Sequence, residues 1–352
     1  MKFIYCALIF LFTLTDSGNA VENKPVTAES IILRYIDATG GLDAIKSLKT
    51  VDMDVQMENH DYQYHQSLHV DGRFRVEKND RIQGFDGKEY WEFFHGLAGK
   101  MPVDHVNEVK DLTFQNILFS NIFDKDWNPR DMKYLGMKEQ FDVQHYLLGS
   151  NPTEQMEIVY YFNVITGFLD KAVFTSKNSE GDELTTIFRY SHYQEIDNLK
   201  LLTHAEGTCI TTGELVQPAV NYKHIKLNQI KAQNVFEKPE STITSTQIEG
   251  TTISAKVIFI DKNGNLVTNI TREVLQKLGL TTGGRLKLKI NGQEFVHVFY
   301  DSLSDTLEIN EGDLLATFNG TPALWFISAY MGMTSILSID QNDAVIVDVI
   351  KN

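Results

Sequence analysis

Between Val51 and Met57 the chain reads VDMDVQM, apolar and polar at alternate positions, which predicts a strand with one face against a core. Ahead of it the period is helical. Ile31, Ile32, Tyr35 and Ile36 fall on one side of a helix that Thr27 can cap and Gly40-Gly41 can end. Leu42, Ile45 and Leu48 then predict a further turn or two. After Met57 the strand period continues through YQYHQSLHV and RFRVE, joined at Asp71-Gly72, and through KEYWEFF after Asp86-Gly87. Asp-Gly between such runs is a hairpin signal, so this part reads as an antiparallel meander.

Residues 107–123, NEVKDLTFQNILFSNIF, break the rhythm. Val109, Leu112, Leu118, Phe119, Ile122 and Phe123 recur at helical spacing, and Phe114 and Ile117 widen the apolar arc, which must bury against something. Strand-like runs return in MEIVYYFNV, LDKAVFT, LTTIFRY, LKLLTHAEG and YKHIKLNQI. One long antiparallel sheet with helices before and within it is an α+β arrangement, and a curved sheet of this kind can enclose an apolar cavity. Residues 236–250, FEKPESTITSTQIEG, have no period and read as a linker. Beyond them AKVIFI, LVTNI, RLKLKI, EFVHVFY, DLLATFN and AVIVDVI, with a helix TREVLQKLGL capped by Thr271, predict a small mostly-β barrel or sandwich. The expected organisation is a signal peptide at 1–20, an α+β unit at 21–235, the linker, and a barrel unit at 251–352.

Length and charge narrow the partners. With 352 residues there is ample chain for two cores. The formal charge of -15 counts against a nucleic-acid backbone or an anionic bilayer surface as main partner. Residues 251–352 hold 8 Lys+Arg against 11 Asp+Glu, so the acidity lies mainly in the first unit. Lys2, the apolar residues 3–14 and Gly18-Asn19-Ala20 have the pattern of a secretory signal cleaved near Ala20. Its apolar core is too short to span a bilayer comfortably, and no later stretch approaches a span. The expected location is periplasmic or secreted, and the mature chain keeps only Cys209, so no internal disulfide is expected.

The first unit resembles the LolA-like periplasmic proteins, which include outer-membrane lipoprotein-sorting carriers. The resemblance rests on ILRYIDATGGLDAIKSLKTV, on DGRFRVE followed by GFDGKEYWEF, on YFNVITGFLDKAVFT, and on YSHYQEIDNLKLLTHAEG. It covers nearly all of residues 25–230. It implies a half-barrel sheet wrapped around an apolar cavity with helices as a lid, able to carry acyl chains through water. On that reading Trp91, Leu112, Leu118, Phe119, Ile122 and Phe123 line the lipid cavity, and Phe93 and Phe94 stand beside Trp91 on the sheet side. Asn198 and Leu202-Thr203 depart from the usual pattern near the end of the unit.

Residues 252–350 are similar to the C-terminal domain of S-adenosylmethionine hydroxide adenosyltransferases and related halogenases. IDKNGNLVTNI carries the resemblance, with FVHVFYDSL and ALWFISAYMGMTSILSIDQNDAVIV. It implies one wall of a nucleoside site, with Asp261, Asn265, Thr268 and Asn269 as ligand-binding residues and Gly264 and Ile270 completing the pattern. Asn263 stands where an aromatic would stack on adenine, a contact of about 1–3 kcal/mol. The family's catalytic half has no counterpart in the first unit, so the reaction is not expected. The same loop can equally close a hairpin, since Asp and Asn side chains bond to turn backbones and Asn263-Gly264 is a turn pair. A calcium loop is excluded, because counting from Asp261 the twelfth position is Arg272 rather than Glu.

Little else carries chemistry. His60, His65 and His69 lie close in sequence, but His65 and His69 share a strand face without His60, and they read as ordinary exposed histidines rather than a metal site. No nucleophile elbow, phosphate loop or paired-Cys motif is present, and Cys209 reads as packed. No catalytic residue, cofactor or metal is therefore expected. Three readings stand: an exported carrier of a lipid or lipoprotein acyl chain, with an envelope protein as further partner; an adenosyl-ligand binder or enzyme; and a structural or interaction protein of the cell envelope.

Overall fold

The structure, a computed structural model, describes residues 25–58, 63–79, 81–101, 106, 109, 114–119, 122–123, 129–153, 156–177, 181–210, 215–243, 246–301, 313–318, 321–328, 333 and 339–350. Helix α1 (Ala28–Ala38) opens with a capping box: the Ser30 amide donates to Thr27 Oγ1 at 3.1 Å and the Thr27 amide to Ser30 Oγ at 3.0 Å. Its buried stripe is Ile31, Ile32, Tyr35 and Ile36, as the spacing predicts. Helix α2 (Leu42–Lys46) follows Gly40 and Gly41, both left-handed. A side chain at Gly40 would meet the Asn198 carbonyl oxygen at 2.2 Å, so that position needs glycine twice over.

The first sheet holds β1 (Thr50–Met57), β2 (Gln63–His69), β3 (Phe74–Lys78), β4 (Arg81–Phe85), β5 (Tyr90–Phe94), β6 (Leu97–Lys100), β7 (Lys133–Gln140), β8 (Val143–Thr153), β9 (Met156–Asn163), β10 (Leu169–Lys177), β11 (Glu183–Ile196), β12 (Leu199–Cys209) and β13 (Leu215–Leu227). It is a large curved antiparallel sheet in the order β6-β5-β4-β3-β2-β1-β13-β12-β11-β10-β9-β8-β7. The chain meanders from β1 to one edge, crosses to the other, and meanders back until β13 pairs with β1. Helix α3 (Phe114–Phe119) lies in that crossing. Val51, Met53 and Val55 of β1, each at most 1% exposed, share one apolar core with the stripe of α1 and with Leu118, Phe119, Ile122 and Phe123. This is the inner face. Each such side chain contributes about 1.5–3 kcal/mol by burial.

The second sheet holds β14 (Gln247–Glu249), β15 (Thr252–Ile260), β16 (Leu266–Thr271), β17 (Arg285–Ile290), β18 (Gln293–Tyr300), β19 (Leu314–Thr317), β20 (Ala323–Ser328) and β21 (Ala344–Ile350), with α4 (Arg272–Lys277) after β16. Its order is β14-β15-β16-β20-β19-β18-β17-β21, and β15 also pairs with β21, so seven strands close into a barrel with β14 outside it. Thr271 occupies the N-cap of α4, but its side chain makes no capping bond. Strand β20 was not among the expected strands. Its ALWFIS run is buried on both sides: Leu324 and Phe326 face the barrel core, while Ala323 and Trp325 pack against Phe94 and Leu97 of the first sheet. A strand covered twice has no alternation to read.

Part of the segment read as a linker is bound along β5 and β6. The Trp91 indole donates to the Phe236 carbonyl at 3.0 Å, the Ala98 amide to Ser241 Oγ at 3.0 Å, and the Thr242 amide to the Gly96 carbonyl at 2.8 Å. Among the described residues no helix is long and apolar enough to cross a membrane. The segment read as a signal peptide, 1–20, lies outside the described residues.

Candidate functional site

The inner face collects most of the residues expected around a lipid. Leu118 and Phe119 of α3, with Ile122 and Phe123, are at most 1% exposed and pack on the sheet and α1. Phe123 lies 6.4 Å from the Tyr35 ring and 5.7 Å from Phe119. Leu112 lies outside the described residues. Trp91 does not join them. It pairs with Gly84, beside Arg75, on the outer face, where Gly84 leaves room for the indole and Phe236 covers it. Phe94 packs instead against Phe259 and Trp325 of the barrel at 5.9 and 6.1 Å. Around the closed part of the inner face, Met57, Tyr64, Phe85, Tyr90, Phe174 and Tyr190 pack on the same core but remain partly exposed.

Polar groups lie in this apolar layer as well. Register aligns Met53, Gln66, Val76, Gln83 and Glu92 across five neighbouring strands on the inner face. Gln66, Gln83 and Glu92 are all buried, and among the described residues Gln66 Oε1 has no hydrogen-bond partner. Glu92 pairs with Arg81, Nε to Oε1 at 2.9 Å. The Tyr160 hydroxyl on the same face is also buried, without a hydrogen-bond partner among the described residues, and burial pushes its pKa up to about 12. The sequence reading missed this row. Its signal was the parity of KEYWEFF, in which Tyr90, Glu92 and Phe94 must share a face.

The outer face carries the histidines. His65 Nε2 lies 2.8 Å from Asp52 Oδ1 and its Nδ1 2.8 Å from Asp54 Oδ1, while His224 Nδ1 reaches Asp54 Oδ2 at 2.8 Å. His69 pairs with Asp71 at 2.7 Å, and His60 lies outside the described residues. Among the described residues no group of three or more His, Cys, Asp or Glu is placed to hold a metal ion. Cys209 is buried.

In the barrel, the loop 261–265 spends its side chains on its own turn. Asp261 Oδ1 accepts from the amides of Asn263 and Asn265 at 2.9 and 2.8 Å, and Oδ2 from Asn265 Nδ2 at 2.9 Å. Thr268 Oγ1, fully buried, donates to the Leu324 carbonyl at 3.1 Å, and Asn269 Oδ1 accepts from the Lys256 amide at 2.8 Å. All four residues expected to touch an adenosyl ligand thus hold the hairpin and its neighbours together. At the opposite end of β16 a cleft of ≈ 280 Å³ is lined by Arg272, Thr281, Thr282, Phe299, Asp301 and Phe318. Arg272 pairs there with Asp301 and lies 4.5 Å over the Phe318 ring.

Residues 255–342 match the family model described as the SAM hydroxide adenosyltransferase C-terminal domain. No curated protein matches the chain. Among solved structures, a LolA superfamily protein from Nitrosomonas europaea is 17% identical, with a TM-score of 0.37, over 61% of this chain and 99% of that one. A domain described as a putative outer membrane lipoprotein-sorting protein, from Vibrio parahaemolyticus, is 10% identical, with a TM-score of 0.38, over 59% of this chain and 95% of that one. An uncharacterized conserved protein from Thermotoga maritima is 18% identical, with a TM-score of 0.28, over 32% of this chain and 41% of that one. The chain is thus similar to LolA superfamily proteins in its first part and, over residues 255–342, to the C-terminal domain of SAM hydroxide adenosyltransferases.

Proposed function

We propose that the chain is an exported binding protein that holds the acyl chain of a lipid or lipoprotein on the inner face of its first sheet. The observation that carries this reading is the partly exposed rim of that face, where Met57, Tyr64, Phe85, Tyr90, Phe174 and Tyr190 extend an apolar core without being covered by it. An acyl chain laid along the rim gains about 0.8 kcal/mol for each methylene taken from water, so no covalent step is needed. Leu118, Phe119, Ile122 and Phe123 act as the cover, and the barrel is an accessory or docking module.

A second reading follows from the family match at 255–342: the barrel binds an adenosyl ligand near Asp261, Asn265, Thr268 and Asn269. Those side chains would have to give up the hydrogen bonds they make within the chain. Native mass spectrometry of the full chain, purified without detergent, separates the readings. The carrier reading expects an adduct in the lipid range, lost in a Met57→Glu/Phe174→Glu variant whose two sites are both partly exposed and should tolerate the change. A nucleoside-sized adduct would favour the second reading. A bare protein mass would leave the chain an envelope scaffold or interaction protein.

A further inference from the structure

Two apolar side chains at one end of the first sheet stand almost entirely in water: Phe141 is 90% exposed and Ile165 85%. Phe141 begins the two-residue turn between β7 and β8. Its φ of 53°, followed by 61° at Asp142, is the left-handed pair that hairpins usually assign to Asn-Gly or Asp-Gly. A bulky aromatic is disfavoured there, and Phe141 gains no burial in the chain that would offset the placement. Ile165 lies in the turn between β9 and β10. The two turns are neighbours: Gln140 pairs with Val143, His145 pairs with Asn163, and the Val164 amide donates to the Gln144 carbonyl at 2.9 Å.

The surroundings carry both signs of charge. Arg34 Nη2 donates to the Ile165 carbonyl at 3.1 Å, and Lys171 bonds Gln140 Oε1 beside the first turn. Glu139 and Asp142 flank Phe141, and Asp170 pairs with His145 at 2.9 Å. Two separate convex tips offer a protein partner no groove and would need a pit for each. A bilayer needs no matching shape, because its surface closes around any apolar tip. The balanced charge suits zwitterionic headgroups, whereas a chain of net charge -15 is repelled by an anionic surface.

We infer that this end of the sheet docks on a zwitterionic bilayer, with the Phe141 and Ile165 side chains entering the boundary between headgroups and acyl chains. The inference goes beyond the acyl-chain reading and stands without it, since a chain can dock on a bilayer and carry nothing.

The test uses the full chain and phosphatidylcholine vesicles with brominated acyl chains. A single tryptophan is introduced as Phe141→Trp, as Ile165→Trp, or as Ile210→Trp, the last at a 54% exposed residue at the far end of the sheet beside Thr185. The expected result is a blue-shifted, quenched indole at 141 and at 165 and an unchanged one at 210. In a Phe141→Asp/Ile165→Asp variant, whose melting curve should match the native one, vesicle affinity should fall roughly 100-fold. No quenching at 141 and 165, equal quenching at all three sites, or unchanged affinity of the double variant would each overturn the inference. The same variant leaves the inner face intact, so its co-purifying lipid reports separately on the carrier reading.

Discussion

On the first sheet a buried carboxylate, Glu92, keeps its charge company with Arg81, and on the outer face His65 has a carboxylate at each ring nitrogen. In the barrel His297 is fully buried against the Phe326 ring at 4.9 Å, and its polar company is the Phe295 backbone rather than a charged side chain. The difference follows from closure. An open sheet has a rim from which Arg81, partly exposed, can reach inward while its head stays near water. A closed seven-strand barrel has no such approach, so a titratable group inside it is carried neutral.

Removing Arg81 should therefore have the largest effect. Arg81→Met leaves the Glu92 carboxylate buried without its cation, and the first sheet should lose about 3–5 kcal/mol in urea unfolding. An Arg81→Met/Glu92→Leu double variant should recover most of that loss, because an apolar pair of similar volume suits the inner face. A double variant as unstable as the single one would mean that Glu92 serves the core in some other way. In the barrel the corresponding stress is acid. Burial pushes the His297 pKa down to about 4 from 6.5, so the unfolded chain takes up the proton first and stability falls as pH drops through that interval. The barrel should lose about 3 kcal/mol between pH 7 and pH 4, and His297→Phe should remove that dependence. A melting curve of the variant that still falls as steeply with acid would assign the sensitivity to other groups.

Much of the fold was legible because local rules and tertiary packing agree. Thr27 with the Ile31-Ile32-Tyr35-Ile36 stripe, the alternation of Val51 to Met57, and the Asp71-Gly72 turn each became what their period implies. Legibility ended where a second layer decides. Parity groups Tyr90 with Glu92 and Trp91 with Phe93, but it does not say which group faces the core. The apolar Trp91 lies outside because the residues around Phe236 cover it, and the charged Glu92 lies inside because Arg81 reaches it. The run at β20 failed for the same reason, since the first sheet buries its outer side. In the loop 261–265 both a ligand contact and a self-contained turn use Asp and Asn, and only the hydrogen bonds separate them. Phe141 gave no signal, because an exposed aromatic in a strand-like stretch reads as part of a core.

The smallest effect sharpens the comparison most, because its sign is opposite to that at His297. Burial lowers the His65 pKa, but the hydrogen bond to Asp54 and the charge of Asp52 outweigh it, and the net shift is upward from 6.5. A raised folded-state pKa contributes stability that is complete below the unfolded value of 6.5 and is lost as pH rises through the folded one. Asp54 is shifted the other way, lowered from 3.8 by its hydrogen bonds to His224 and His65, so its contribution is present above 3.8 and fades in stronger acid. Between those limits both terms hold, and the outer face of the first sheet is at its firmest. His65 is partly exposed, so the gain amounts to a few tenths to about 1 kcal/mol. Raising the pH from 6 to 9 should weaken the first sheet by that much, whereas the barrel should firm slightly as His297 of the unfolded chain gives up its proton, and His65→Gln should abolish the change in the first sheet. If the first sheet instead grows firmer over that range, the two carboxylates do not hold a proton on His65, and the contrast with His297 reduces to burial alone.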